Sequence, residues 1–163
     1  MRKPGKSAPR EVPEGRGLRV AIVRARFNER VVDGLSEGAE AALTEMGVGH
    51  VLVFDVPGAF ELPLAARAAA ASKRFDAVIA LGAVIRGGTD HYQHIAREAA
   101  AGLQRAALDS GVPVAFGVLT VTRVSQALAR SAPGPDNKGA EAARAAVAMV
   151  HALRAIRGRG QRR

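Results

Sequence analysis

The sequence predicts an α/β protein, a single-domain three-layer α/β/α sandwich around a four-stranded, mainly parallel sheet. Three observations predict it. Four short runs, 18–23, 50–56, 77–84 and 112–119, are rich in β-branched residues and nearly continuous in apolar ones, as strands buried on both faces of a parallel sheet are. Segments with apolar residues at helical spacing separate these runs. Strands alternating with helices imply right-handed crossovers and helices on both faces of a doubly wound sheet.

Taken in order, the first strand is Leu18 to Val23. Val32, Leu35, Ala39, Ala42 and Met46 then recur at helical spacing, with Glu37, Glu40 and Glu45 on other faces, and Gly47 stops the run. After the strand 50–56, Pro63 sits early in a helix covering about 61–73, where a missing N–H does little harm. The strand 77–84 leads into an Ala-rich helix over about 90–109, ended by Gly111. The strand 112–119, a short helix over about 124–130 and a last helix from near Lys138 complete the pattern, the last with Ala142, Ala146, Met149, Leu153 and Ile156 as its stripe.

Composition narrows the function classes. Hydrophobic content of 48% fits a folded chain. There is no Cys, so disulfides and thiolate metal sites are excluded. No stretch approaches the roughly 18 consecutive apolar residues of a membrane span, and no apolar run follows the basic N-terminus, so a cytoplasmic protein is expected. The net charge of +9 sits on the ends: residues 1–17 carry +3, residues 154–163 carry +5, and the stretch between only +1. Residues 1–17, rich in Pro, Gly and charge, are expected to be a disordered basic arm and 158–163 a basic tail, flanking a domain over 18–157. With aromatics at 4% and none interleaved with basic residues, no specific nucleic-acid site is expected.

In open parallel sheets ligands bind beyond the carboxyl ends of the strands. Three segments there hold unusual residues. Arg86-Gly87-Gly88-Thr89-Asp90-His91 joins a buried strand to a helix, so two readings stand: a phosphate cradle at a helix N-terminus, or a turn whose Thr89 or Asp90 caps the helix. His91 lies in the first turn of that helix, where the dipole disfavours its charged form and suits it to proton transfer; His94 is more readily a solvated surface residue. A metal site on this pair lacks a third ligand. Pro57-Gly58-Ala59-Phe60-Glu61 places a carboxylate at a helix start, and Arg26-Phe27-Asn28 puts a ring and an amide just past the first strand, a fair stacking surface for a flat ligand. Arg130, ending a short helix, could pair with phosphate or complement that helix's C-terminus.

These motifs, with Val56 to Glu61, Gly82 to His91 and Asn137-Lys138-Gly139 in order and spacing, make the chain resemble the lumazine synthases of riboflavin biosynthesis over about residues 18 to 153. The resemblance implies a flavodoxin-like sheet and an enzyme, a transferase, that condenses 5-amino-6-(D-ribitylamino)uracil with 3,4-dihydroxy-2-butanone 4-phosphate to 6,7-dimethyl-8-ribityllumazine, with no cofactor or metal. It implies that Phe27 stacks on the pyrimidine and Asn28 borders the pocket, that Ala59, Phe60 and Glu61 meet the ribitylamino chain, and that Ala83, Val84 and Ile85 meet the ring through the backbone. Gly88 and Thr89 would receive the phosphate, His91 would move protons, and Phe116 and Arg130 would come from an adjacent subunit. The implied partners are therefore two small-molecule substrates and further copies of the chain, at least a pentamer. A sixty-subunit shell and association with riboflavin synthase stay open, with no membrane partner.

The sequence departs from the family pattern in two places. Ala132-Pro133-Gly134-Pro135-Asp136 replaces a Gly-Thr-Lys-type stretch, leaving Lys138 as the nearby lysine to meet substrate, and His94 stands where an aromatic is common. Two alternative functions remain at this point: a lumazine- or flavin-binding member of the fold without turnover, and a mainly structural shell-former.

Overall fold

Residues 11–158 are described by a computed structural model. Residues 1–10 of the expected arm and 159–163 of the expected tail lie outside the described residues. The elements run β1 (Arg19–Ala25), α1 (Glu29–Glu45), β2 (His50–Val56), α2 (Leu62–Ala71), β3 (Ala77–Ile85), α3 (His91–Ser110), β4 (Val114–Val121), α4 (Val124–Ser131) and α5 (Lys138–Ile156), with one 3-10 turn at Ala59–Glu61 before α2. All four strands are parallel, in the order β2-β1-β3-β4. That is the flavodoxin-like order, and its switch point lies between β1 and β3.

The period of two along β1 builds both halves of the core. Val20 and Ile22 join Leu35, Leu43 and Val147 under α1 and α5, while Ala21 and Val23 join Leu62, Ala66 and Leu103 under α2 and α3. Ile22, Ile79 and Leu81 are fully buried, each worth about 1.5–3 kcal/mol of transfer free energy.

Continuous apolarity misleads at the edges. Burial on both faces holds for β1 and β3 but not for β2, where Val53, Phe54 and Asp55 are exposed, nor for β4, where Phe116 and Thr120 are. The strand order makes β2 and β4 the two edges, so within one chain each lacks a neighbour and a complete helical cover. The first strand also begins and ends later than the pattern predicts, at Arg19–Ala25, and the last runs Val114–Val121. Pro113 has no N–H to give, although its carbonyl accepts from Val78 N–H at 2.8 Å.

Asn137 and Gly139 join α1 to α5. Asn137 is buried; its amide nitrogen lies 3.0, 2.9 and 3.1 Å from the carbonyl oxygens of Gly34, Ser131 and Ala132, and its side-chain oxygen accepts from Ala140 N–H at 3.0 Å, capping α5. Gly139 lets the helices cross closely, since a Cβ there would collide with the Leu35 carbonyl. At the other end of α5, His151 hydrogen-bonds the Glu14 carbonyl, and Gly15 N–H donates to Met46 O at 2.7 Å, so residues 14 and 15 lie against the helical layer.

At the amino-terminal rim of the sheet, Asp76 accepts from Arg19 N–H at 2.7 Å and from the Arg19 guanidinium at 3.2 and 3.3 Å. Burial works to raise the Asp76 pKa, but the hydrogen bonds from the Arg19 side chain and backbone, with the Arg19 charge, outweigh it and hold the carboxyl below its ordinary value. A depressed folded pKa gives stability that is present above the unfolded value and is lost as pH falls through the folded one. Asp76→Asn should therefore lower stability at neutral pH and flatten the decline of the wild type below about pH 4, which urea midpoints across that range would read.

Candidate functional site

A crevice of about 380 Å³ opens at the β1/β3 switch point, lined from the three segments the sequence singles out. Phe27 and Asn28 come from the β1–α1 turn, Gly58 to Glu61 from the turn after β2, and Ala83 to Ile85 with Gly87, Thr89 and His91 from the end of β3 and the loop to α3. The backbone opens it: Arg26 N–H and Phe27 N–H donate to Val56 O and Pro57 O at 2.8 and 3.1 Å, so the chain leaving β1 follows β2 and parts from β3.

Two aromatic rings stand at the crevice with little protein against them, Phe27 at 73% and Phe60 at 59% exposure. Large exposed apolar side chains converging on one cleft are unusual and suit a flat ligand. An ion cluster joins the carboxyl ends of β1 and β2 to α1. Arg24 donates to Asp55 at 2.6 Å and lies 3.5 Å from Asp33, while Arg26 lies 3.6 Å from the other Asp55 oxygen. The hydrogen bond to Asp55 holds the Arg24 proton more tightly than usual, against an opposing contribution from burial.

Glu61 ends the 3-10 turn and makes no side-chain cap for α2. Its carboxylate folds back over Gly58, with one oxygen 3.2 Å from where a Cβ on that residue would lie. The loop after β3 is exposed. Neither Gly87 nor Gly88 has a positive φ, and a Cβ on either would meet nothing within 4 Å, so the turn itself does not demand glycine. Of the two capping candidates, Asp90 makes no side-chain cap, and Thr89 Oγ1 accepts a long bond, 3.4 Å, from His91 N–H. His91 lines the crevice, whereas His94 is exposed and does not.

Gly88, in the same loop, is not among the residues lining the crevice, and three further predicted residues lie elsewhere in the chain. Phe116, Arg130 and Lys138 line a separate cavity of about 300 Å³ along β4, which shares no residue with the crevice. Phe116 is 50% exposed. Arg130, in the last turn of α4, donates to the first-turn carbonyl of Gln126 at 3.1 Å, and Lys138 pairs with Glu141 at 2.6 Å. Tyr92 and Ile95 also line the crevice and were not foreseen; Ile95 falls one helical turn after His91, the spacing that could have revealed it. Among the described residues no group of three or more His, Cys, Asp or Glu could hold a metal ion, and no helix is long and apolar enough to cross a membrane.

A family model described as 6,7-dimethyl-8-ribityllumazine synthase matches residues 17–154. The chain belongs to this family. The lumazine synthase match spans every strand and both cavities, and it assigns the chain to a transferase family of riboflavin synthesis.

Proposed function

We propose that this member of the lumazine synthase family condenses 5-amino-6-(D-ribitylamino)uracil with 3,4-dihydroxy-2-butanone 4-phosphate, giving 6,7-dimethyl-8-ribityllumazine, phosphate and water. One observation carries the reading: the crevice joins exposed aromatic rings, a carboxylate, an open glycine-containing loop and a histidine at a switch point, within a chain of this family. Phe27 stacks on the pyrimidine, and Ala59, Phe60 and Glu61 hold the ribityl chain. Backbone groups of Ala83 to Ile85 meet the ring edge, and Gly88, Thr89 and Arg130 hold the phosphate.

The chemistry asks little of the side chains. An amine adds to the ketone and loses water to form an imine, phosphate is eliminated, and the second amine closes the ring with loss of another water. The reactants condense readily, so alignment supplies most of the acceleration. His91 relays protons during imine formation and phosphate loss. The direct test is to mix the purified protein with both substrates and follow lumazine absorbance and fluorescence; bound chromophore without product would favour a binding-only protein.

That Phe116, Arg130 and Lys138 lie apart from the crevice within one chain supports a site completed by a second chain; on the family resemblance the proposed working assembly is at least a pentamer. Light scattering on the active sample should find no monomer, and an active monomer would sink this part of the reading. His91→Ala should slow turnover by about 10² or less, since buffer can shuttle protons for aligned reactants, and should leave pyrimidine binding nearly intact. Steady-state rates beside equilibrium titration separate the two effects.

A further inference from the structure

The ladder between β1 and β3 ends at the pair Arg24 and Leu81, yet β3 continues through Ile85 with only β4 beside it. Hydrogen bonds from Val78 N–H to Pro113 O and from Arg86 N–H to Val121 O show that even-numbered residues of β3 turn their peptide groups toward β4. Alternation then aims those of Ala83 and Ile85 the other way, into the gap that β1 has left. A strand edge without a neighbour is free to shift, and this edge forms one wall of the crevice.

Asn28 spans the gap. Its side-chain nitrogen donates to Ala83 O at 2.8 Å, and its backbone holds the left-handed conformation, φ 60° and ψ 46°. That conformation lets the chain turn from β1 into α1 while the amide reaches β3, and Asn tolerates it better than most residues. The side chain makes no cap for α1.

We infer that Asn28 is a positioning residue: it stands in for the strand partner that β3 loses and fixes the Ala83–Ile85 edge, leaving the Ile85 peptide groups to read the hydrogen-bonding edge of the bound ring. The inference rests on the proposed pyrimidine substrate. With Ala83 O occupied, the wall offers a donor and an acceptor at Ile85, the complement of a cyclic amide edge.

Two variants test it. Asn28→Gly keeps the left-handed turn and deletes the amide. Asn28→Asp keeps the size but sets a carboxylate oxygen opposite the Ala83 carbonyl. In the free protein, both should shift the Ala83 carbonyl carbon resonance and speed amide exchange at Ile85. Calorimetric titration with 5-amino-6-(D-ribitylamino)uracil should show Asn28→Gly weaker than wild type by about tenfold, and Asn28→Asp weaker still, with the KM for the butanone phosphate nearly unchanged. If Asn28 instead touched the ring through its side-chain oxygen, Asp would keep that acceptor and bind better than Gly; that order, or an unmoved Ala83 resonance, overturns the positioning role alone. A wild type that fails to bind the pyrimidine overturns the underlying substrate reading, and this inference with it.

Discussion

Arg130→Ala should raise the KM for the butanone phosphate by roughly ten- to a hundredfold while the affinity for the pyrimidine hardly changes. A charge-assisted hydrogen bond contributes about 1.5–3 kcal/mol, and each 1.4 kcal/mol is a factor of ten. The guanidinium now rests on the Gln126 carbonyl, an exposed neutral acceptor that a phosphate dianion would displace. Steady-state kinetics with each substrate varied in turn check the asymmetry. The separation of the two cavities adds a sharper expectation. Arg130→Ala and Glu61→Ala chains, dissociated and reassembled together, should show more activity at low butanone phosphate than either shows alone, because some neighbouring pairs then join an intact crevice to an intact cavity. If mixing restored nothing in a reassembled sample, the shared site would be ruled out.

Asn137→Ala should produce a large loss of stability for a single polar side chain. It leaves the buried Ala140 N–H without its cap and takes the amide partner from the buried Ser131 carbonyl and from the part-buried bonds to the Gly34 and Ala132 carbonyls. An unsatisfied buried group costs about 1–3 kcal/mol, so a total near 3 kcal/mol is expected, or about 6–12 °C in melting temperature for a chain of this size. Asn137→Ser restores the cap alone and should recover about 1 kcal/mol. Calorimetry on the three proteins reads both steps, and equal melting temperatures for Ser and Ala would assign the whole effect to the carbonyl cluster.

The fold was legible because β1 and β3 are buried on both faces, and continuous apolar runs between amphipathic helices identify such strands. The same signal overstated β2 and β4, because periodicity records how apolar a strand is and not whether a neighbour covers it. The crevice residues were legible as strand-end oddities: a Phe between polar neighbours, a Pro-Gly turn into a carboxylate, two glycines before a histidine. Tyr92 and Ile95 were not, since an apolar residue in a helix reads first as core. Nor could spacing show that Asn137 is a structural hub or that Asn28 bonds β3, since each partnership joins segments far apart in sequence.

The Arg19–Asp76 pair stands at one rim of the sheet and the crevice at the other, with the length of β1 between them. Substitutions at the amino-terminal rim can therefore tune how much heat or acid the chain withstands without reaching the substrates. A laboratory selection for endurance should accumulate changes around residues 19 and 76, and a selection for new substrates around 27, 58–61 and 83–91, with little epistasis between the two sets.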